Sequence, residues 1–349
     1  MLADNPVYQA DVERTVRAFE SLIRCFADTT VLVTGATGLI GSAVVDLLLC
    51  ANRLFGTNTS LLAASRSADG VIARFGTQPL LTPIVYDATR ANELPMHIDY
   101  IIHAASNASP EWYVSRPVET MLANFGGLHE LLEHAVKCAV RRVLYVSSSE
   151  VYGGHSTLSP ICETEYGGLD ILNVRSAYAE SKRATETLAT AYAVEHGVDV
   201  VTARPGHIYG PTARKSDRRL SSDFAWRAAA GEALVMKSEG RDIRSYCHCL
   251  DCASAILAIM SDGVCGEAYN ISNPESVVTI REIAELLAAA GGVELRFEAP
   301  SQAEQRAFNP MKNASLDAQK LVSLGWHGQW SAREGVSRTV SALKLEVLA

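Results

Sequence analysis

Short apolar runs alternate with amphipathic stretches along most of this chain. Thr30-Val31-Leu32-Val33, bounded by polar and glycine positions, reads as a buried strand. Further strands are expected at 60–65, 82–86, 98–104, 142–147 and 198–204. Between them, helical spacing of apolar residues covers 41–52, 117–138 and 176–196. Such alternation implies a parallel sheet covered by helices on both faces, because parallel neighbours need a crossover connection. Ahead of the first strand, residues 11–26 show the periodicity of an amphipathic helix that packs on the body or on a partner. Past Arg204-Pro205 the pattern loosens. Gly206 to Ser222 reads as loop, followed by a helix at 223–231, a strand at 234–237, a strand and helix over 244–260, and a helix at 279–290.

The first strand is joined to the first long helix by Thr34-Gly35-Ala36-Thr37-Gly38-Leu39-Ile40-Gly41. Strand, glycine turn and helix in that order form the context a dinucleotide fingerprint requires, here spaced G-x-x-G-x-x-G. Glycines allow a tight turn and let the backbone approach a pyrophosphate, which rests against the positive helix end. Gly35, Thr37, Gly38, Leu39, Ile40 and Gly41 are the expected contacts. The expected fold class is therefore α/β, a Rossmann-type doubly wound parallel sheet with a smaller C-terminal substrate-binding lobe. Residues 1–29 would be a helical extension and 30–205, with 242–268 returning to it, the dinucleotide-binding domain. Residues 206–241 and 269–349 would form the substrate lobe over the carboxyl ends of the strands.

Tyr178 and Lys182 lie four residues apart on an expected helix and so project from one face. Bringing a tyrosine from about 10 to near 7 needs roughly 4 kcal/mol of phenolate stabilisation. One cation at about 4 Å supplies energy of that order at an effective dielectric near 20. Upstream, Ser147-Ser148-Ser149-Glu150 follows the apolar run Val143-Leu144-Tyr145-Val146, placing hydroxyls and a carboxylate at a strand's carboxyl end.

Composition narrows the reading. The chain has 349 residues, 48% of them hydrophobic, and a net charge of −8. That charge argues against a general nucleic-acid or membrane-surface role. No apolar run approaches a membrane span and the N-terminus lacks a signal-peptide pattern, so a cytoplasmic location is expected. Eight cysteines are scattered without a disulfide framework. Cys247, His248, Cys249 and Cys252 would need a further donor cluster to hold a metal, so none is expected. Arg214, Lys215, Arg218 and Arg219 concentrate cations in an otherwise acidic chain and suit phosphate contact.

Beyond Gly35, Gly38 and Gly41, the chain carries Asp87, His103-Ala104-Ala105, Asn124, Ser148, Tyr178-x-x-x-Lys182, Arg204-Pro205-Gly206-His207-Ile208-Tyr209-Gly210-Pro211, Arg244-Ser245-Tyr246 and Leu324-Gly325-Trp326. With these it resembles the extended short-chain dehydrogenase/reductases, the NAD-dependent epimerase/dehydratase group that modifies nucleotide sugars. Ala105 to Tyr113, Asn124, and Arg175 through Glu186 look most like the UDP-glucuronate decarboxylases. The resemblance implies that Ser148 holds the sugar 4-hydroxyl, Tyr178 takes its proton, and Lys182 holds the nicotinamide ribose and depresses the tyrosine pKa. It implies that Glu150 and Arg244 act at the C5/C6 end, with Tyr113, His207 and Arg219 on the substrate. It also implies cofactor contacts from Arg66, Asp87, Ala104, Ala105 and Asn124, and a homodimer through helices near 117–138 and 176–196.

The family's usual asparagine is His207 here, and the dehydratases' Asp–Glu pair is Ser149-Glu150. Decarboxylation through a 4-keto sugar is therefore expected first, with 4-epimerisation or 4,6-dehydration as the alternative. A non-catalytic dinucleotide sensor is the remote alternative. No acid ends the second strand, where Ala64-Ser65-Arg66-Ser67 stands. Arg66 could pair with a 2′-phosphate, so the cofactor is NAD or NADP with a lean to NADP.

Overall fold

The computed structural model describes residues 2–108, 110–154, 159–300 and 311–348. Ser109, within the Ala105–Tyr113 motif, lies outside them, and for Pro110 and Glu111 only the backbone is described. Helices α1 (Pro6–Ala18) and α2 (Glu20–Ile23) precede β1 (Thr30–Thr34), α3 (Leu39–Phe55), β2 (Ser60–Ser65), α4 (Ala68–Phe75) and β3 (Leu81–Val85). The chain continues through β4 (Tyr100–His103), α5 (Pro110–Ser115), α6 (Pro117–Cys138), β5 (Arg142–Val146), α7 (Ser176–His196) and β6 (Val200–Pro205). Then come β7 (His207–Tyr209), α8 (Leu220–Ala229), β8 (Leu234–Met236), β9 (Ile243–His248), α9 (Cys249–Asp262) and β10 (Ala268–Ile271). Last are β11 (Val277–Thr279), α10 (Ile280–Gly291), β12 (Leu295–Phe297), β13 (Asn313–Ala314), α11 (Gln319–Val322) and α12 (Ala332–Leu348).

Seven parallel strands form the main sheet in the order β10-β6-β5-β4-β1-β2-β3. Its strands are continuously apolar because both faces are covered. Val44, Leu47 and Leu48 of α3 join Ile256, Leu257 and Met260 of α9 in one core cluster. Leu128, Leu131 and Leu132 of α6 join Val143 and Tyr145 of β5 in another. The order reverses between β1 and β4, opening a crevice at their carboxyl ends where ligands bind in folds of this class.

Several boundaries differ from expectation. The N-terminal helix begins at Pro6 because the Asn5 side chain accepts from the Tyr8 amide at 3.1 Å and proline fits the first turn. It breaks at Phe19 and packs on the body: Tyr8 donates to Asp46 at 2.7 Å, and Arg338 pairs with Asp11 at 2.6 Å. The stretch expected to be loop contains β7 and the start of α8. β9 pairs with β7, β11 and β13 in a second sheet, so the chain returns to the main sheet at β10, against β6. The 268/269 boundary thus falls inside a strand.

Leu128, Leu131 and Leu132 are core residues, whereas Val118, Met121, Leu122 and Phe125 form an exposed stripe on α6. Cys247, Cys249 and Cys252 are buried in the apolar core, where burial raises their thiol pKa values. Among the described residues no helix is long and apolar enough to cross a membrane.

Candidate active site

Three strand ends and one helix build the site. After β1, Gly35 sits at φ +66°, and a Cβ there would meet the Ala104 carbonyl oxygen at 2.7 Å. A Cβ on Gly41 would collide with the Gly35 carbonyl. Only glycine lets this turn close against the end of β4. Gly38 caps α3 without any side-chain hydrogen bond, so Thr37, Leu39 and Ile40 flank a helix end whose amides remain open to an anion. At the end of β4, the Ala105 amide donates to Thr34 Oγ1 at 3.3 Å, and Thr34 Oγ1 bonds His103 Nδ1 at 2.7 Å. Asp87, two residues past β3, accepts from the Thr89 hydroxyl at 2.7 Å; that bond and neighbouring charge hold its pKa low. Arg66 is exposed at the end of β2.

From β5, Ser148 accepts from the Glu150 amide at 3.2 Å and lies close enough to Tyr178 to lower its pKa. Tyr178 stacks on Tyr113 with centroids 5.1 Å and planes 18° apart. Lys182 is buried, donates to the Val146 carbonyl at 2.8 Å, and lies 5.8 Å from the Tyr178 ring centroid. Asn124 is buried in α6, accepts from Ser106 at 2.7 Å and donates to Ser181 at 2.8 Å; Ser181 in turn donates to the Tyr178 carbonyl at 2.8 Å. Asn124 therefore acts on the site through α7.

The second sheet supplies the opposite wall. β7 and β9 place His207 opposite Tyr246, and Arg244 is 2% exposed. The Arg244 guanidinium donates to the Ile243 carbonyl at 2.8 Å, and Asp242 stands 3.6 Å away and partly exposed. Burial pulls the Arg244 pKa down. His207 Nδ1 is buried without a partner among the described residues; burial, with Arg244 and Arg219 close by, pushes its pKa to about 3. It is neutral near pH 7. The charges of Glu150 and Arg219 both act on Tyr178 and Tyr113, so these groups converge on one locus.

The Tyr178–Lys182 expectation needs correction. Burial drives Tyr178 up to about 12 despite the opposing influence of Ser148, and drives Lys182 down to about 7. Desolvation penalises both charged forms, and the ammonium points at a carbonyl rather than at the phenol. The pair alone does not hold a phenolate.

A parallel sheet in this order, a glycine turn at its switch point and a Tyr–Lys helix beneath it match known proteins. The family model for the NAD dependent epimerase/dehydratase family matches residues 31–272. The chain belongs to this family. UDP-glucuronic acid decarboxylase 6 of Arabidopsis thaliana is 31% identical over 93% of this chain and 89% of its own length. The dTDP-glucose 4,6-dehydratase DesIV of Streptomyces venezuelae, solved with NAD bound, is 27% identical over 90% of this chain and 97% of its own, with a TM-score of 0.76. The UDP-glucose 4-epimerase of Thermotoga maritima shares the fold, with a TM-score of 0.76 at 23% identity over 91% of this chain and 99% of its own.

This member of the family fits a dinucleotide: the turn at Gly35 and Gly41 has no room for side chains, and the end of α3 is uncapped. One site residue was assigned no role from sequence. Arg175, just before α7, acts on Tyr113 through its charge, which lowers the Tyr113 pKa against the burial that carries it up to about 12. Its signal was only its place three residues before Tyr178.

Proposed function

We propose that this enzyme decarboxylates a UDP-glucuronate-like nucleotide sugar through a 4-keto intermediate, with NAD as its cofactor. The observation that carries the reading is Arg244: a buried guanidinium beside the Tyr178 locus whose nearest carboxylate is 3.6 Å away and partly exposed. A buried cation of this kind favours a planar anion, and a C6 carboxylate offers two oxygens for a bidentate contact. The 31% identity to a UDP-glucuronic acid decarboxylase over nearly the whole chain supports the same substrate class.

In this reading Ser148 orients the 4-hydroxyl and Tyr178 accepts its proton. A bound nicotinamide supplies hydride acceptance at C4, a positive charge that favours the tyrosinate, and hydride return at the end. With C4 a ketone, the C5–C6 bond breaks, carbon dioxide leaves, and the electron pair passes into the C4 carbonyl as an enolate. Glu150 delivers a proton to C5. Arg244 holds the C6 carboxylate of the substrate, and Tyr113, stacked on Tyr178, flanks the sugar.

Arg66 is exposed beside the expected adenosine end, which suits stacking as well as a 2′-phosphate, and the NAD-bound DesIV supports NAD. The second reading is 4,6-dehydration, favoured by the likeness to DesIV; Ser149 in place of an acid weighs against it. The exposed stripe of Val118, Met121, Leu122 and Phe125 supports a homodimer through α6 and α7.

The test is incubation with NAD and a panel of UDP-glucuronate, UDP-glucose, UDP-galactose and dTDP-glucose, followed by mass spectrometry. The expected result is a UDP-pentose with release of carbon dioxide. Absence of turnover on any uronate would overturn the reading.

A further inference from the structure

We propose that Arg214 is a cofactor-retaining residue: an ionic latch from the segment after β7 that closes on the pyrophosphate of the bound dinucleotide. Arg214 crosses from that segment to the glycine turn, where Nη2 donates to Thr37 Oγ1 at 2.7 Å and to the Thr37 carbonyl at 3.2 Å. Nε donates to the same carbonyl at 3.3 Å. The other arginines of this segment are neutralised, Arg218 by Asp223 at 3.3 Å and Arg219 by Asp217 at 2.5 Å. Among the described residues no carboxylate lies within ion-pair distance of Arg214, and Nη1 carries no hydrogen bond.

Arg214 is exposed to solvent, and its cation shares this turn with the positive end of a helix. A guanidinium stands one residue before Gly38, the cap of the 17-residue helix α3, at the positive end of the helix dipole. No side chain caps that end, so neither protein partner supplies the negative charge that both the cation and the open amides favour. A pyrophosphate at the turn satisfies both, taking the amides on one side and the free Nη1 donors on the other.

The segment is also held in place. Thr212 is buried and donates to the Leu39 carbonyl at 2.7 Å, and Trp226 Nε1 donates to the Ala213 carbonyl at 3.0 Å. The backbone leading into Arg214 is thereby anchored to α3 and α8, which lowers the cost of ordering its side chain over the turn. Retention suits a reaction in which one hydride is borrowed and returned, since a released cofactor would strand the oxidised sugar. The inference rests on the dinucleotide site, not on the choice of sugar.

The experiment compares the parent enzyme with R214A and R214K. NADH release is followed by stopped-flow fluorescence and affinity by titration, with adenosine as a probe that lacks a pyrophosphate. R214A is expected to release and bind NADH about tenfold faster and weaker, respectively, with R214K intermediate. Adenosine affinity stays at the parent value, and salt accelerates NADH release from the parent more than from R214A. Equal NADH release from parent and R214A, or an equal loss of adenosine binding, overturns the latch. A parent that binds no NADH overturns the cofactor reading itself, whereas NADH binding without uronate turnover overturns only the proposed reaction.

Discussion

Tyr113 lies nearly parallel on Tyr178, 5.1 Å between centroids, so a ring from α5 forms one side of the Tyr178 surroundings. Such pairs contribute about 0.5–1.5 kcal/mol beyond their buried area, and here the contact also sets the angle of the phenol. Tyr113→Ala is expected to lower kcat/KM by about tenfold to a hundredfold, while Tyr113→Phe, which keeps the ring, loses less than about tenfold. Steady-state kinetics on the preferred nucleotide sugar check this.

Lys182 carries a pH signature. Burial lowers its pKa from 10.5 to about 7, so between those values the unfolded chain binds a proton that the folded chain lacks. Stability from this group is fully present above 10.5 and is lost as pH falls through about 7. Urea denaturation across that window should show the parent gaining stability with rising pH. Lys182→Met should lack that rise and be at least as stable as the parent at pH 7, yet show no turnover.

Buried Arg204 pairs with partly buried Glu186 at 2.6 Å, and Glu186 also accepts from Ser147 beside the site. Arg204→Met leaves a partly buried carboxylate without its cation and is expected to cost about 2–4 kcal/mol. The double variant with Glu186→Met should recover much of that loss. Chemical denaturation of the three variants reads the difference.

The Glu150 charge acts on Tyr178, Tyr113 and Arg244 alike. Glu150→Gln keeps the shape and removes the group proposed to deliver the proton to C5. Carbon dioxide release should fall by about a hundredfold or more, with substrate affinity changed far less. Isothermal titration with the nucleotide sugar alongside a decarboxylation assay separates the two.

The α6 stripe bears on self-association. Leu122, at 60% exposure, and Phe125, at 43%, lie one turn apart on the same face. Leu122→Glu with Phe125→Glu should shift sedimentation from dimer to monomer at micromolar concentration, since charges at the centre of an apolar interface are strongly disfavoured. A parent that already sediments as a monomer would remove the dimer proposal.

By itself the sequence determined the strand–helix alternation, the glycine turn and the Tyr178–Lys182 helix, because each depends on local periodicity or on spacing within one element. α6 and α7 run over 117–138 and 176–196 as the spacing predicts, and β2 over 60–65. Long-range pairing settled the rest. β9 reads as one more strand of the main sheet, yet its partners are β7, β11 and β13, drawn from segments up to about seventy residues away. Tyr178 reads as a lowered phenol, yet its burial beneath Tyr113 raises it, and solvent exclusion is a property of the packed fold. Arg214 reads as one cation in a basic run, and only the folding of that run against Thr37 distinguishes it from Arg218 and Arg219, which have carboxylates of their own.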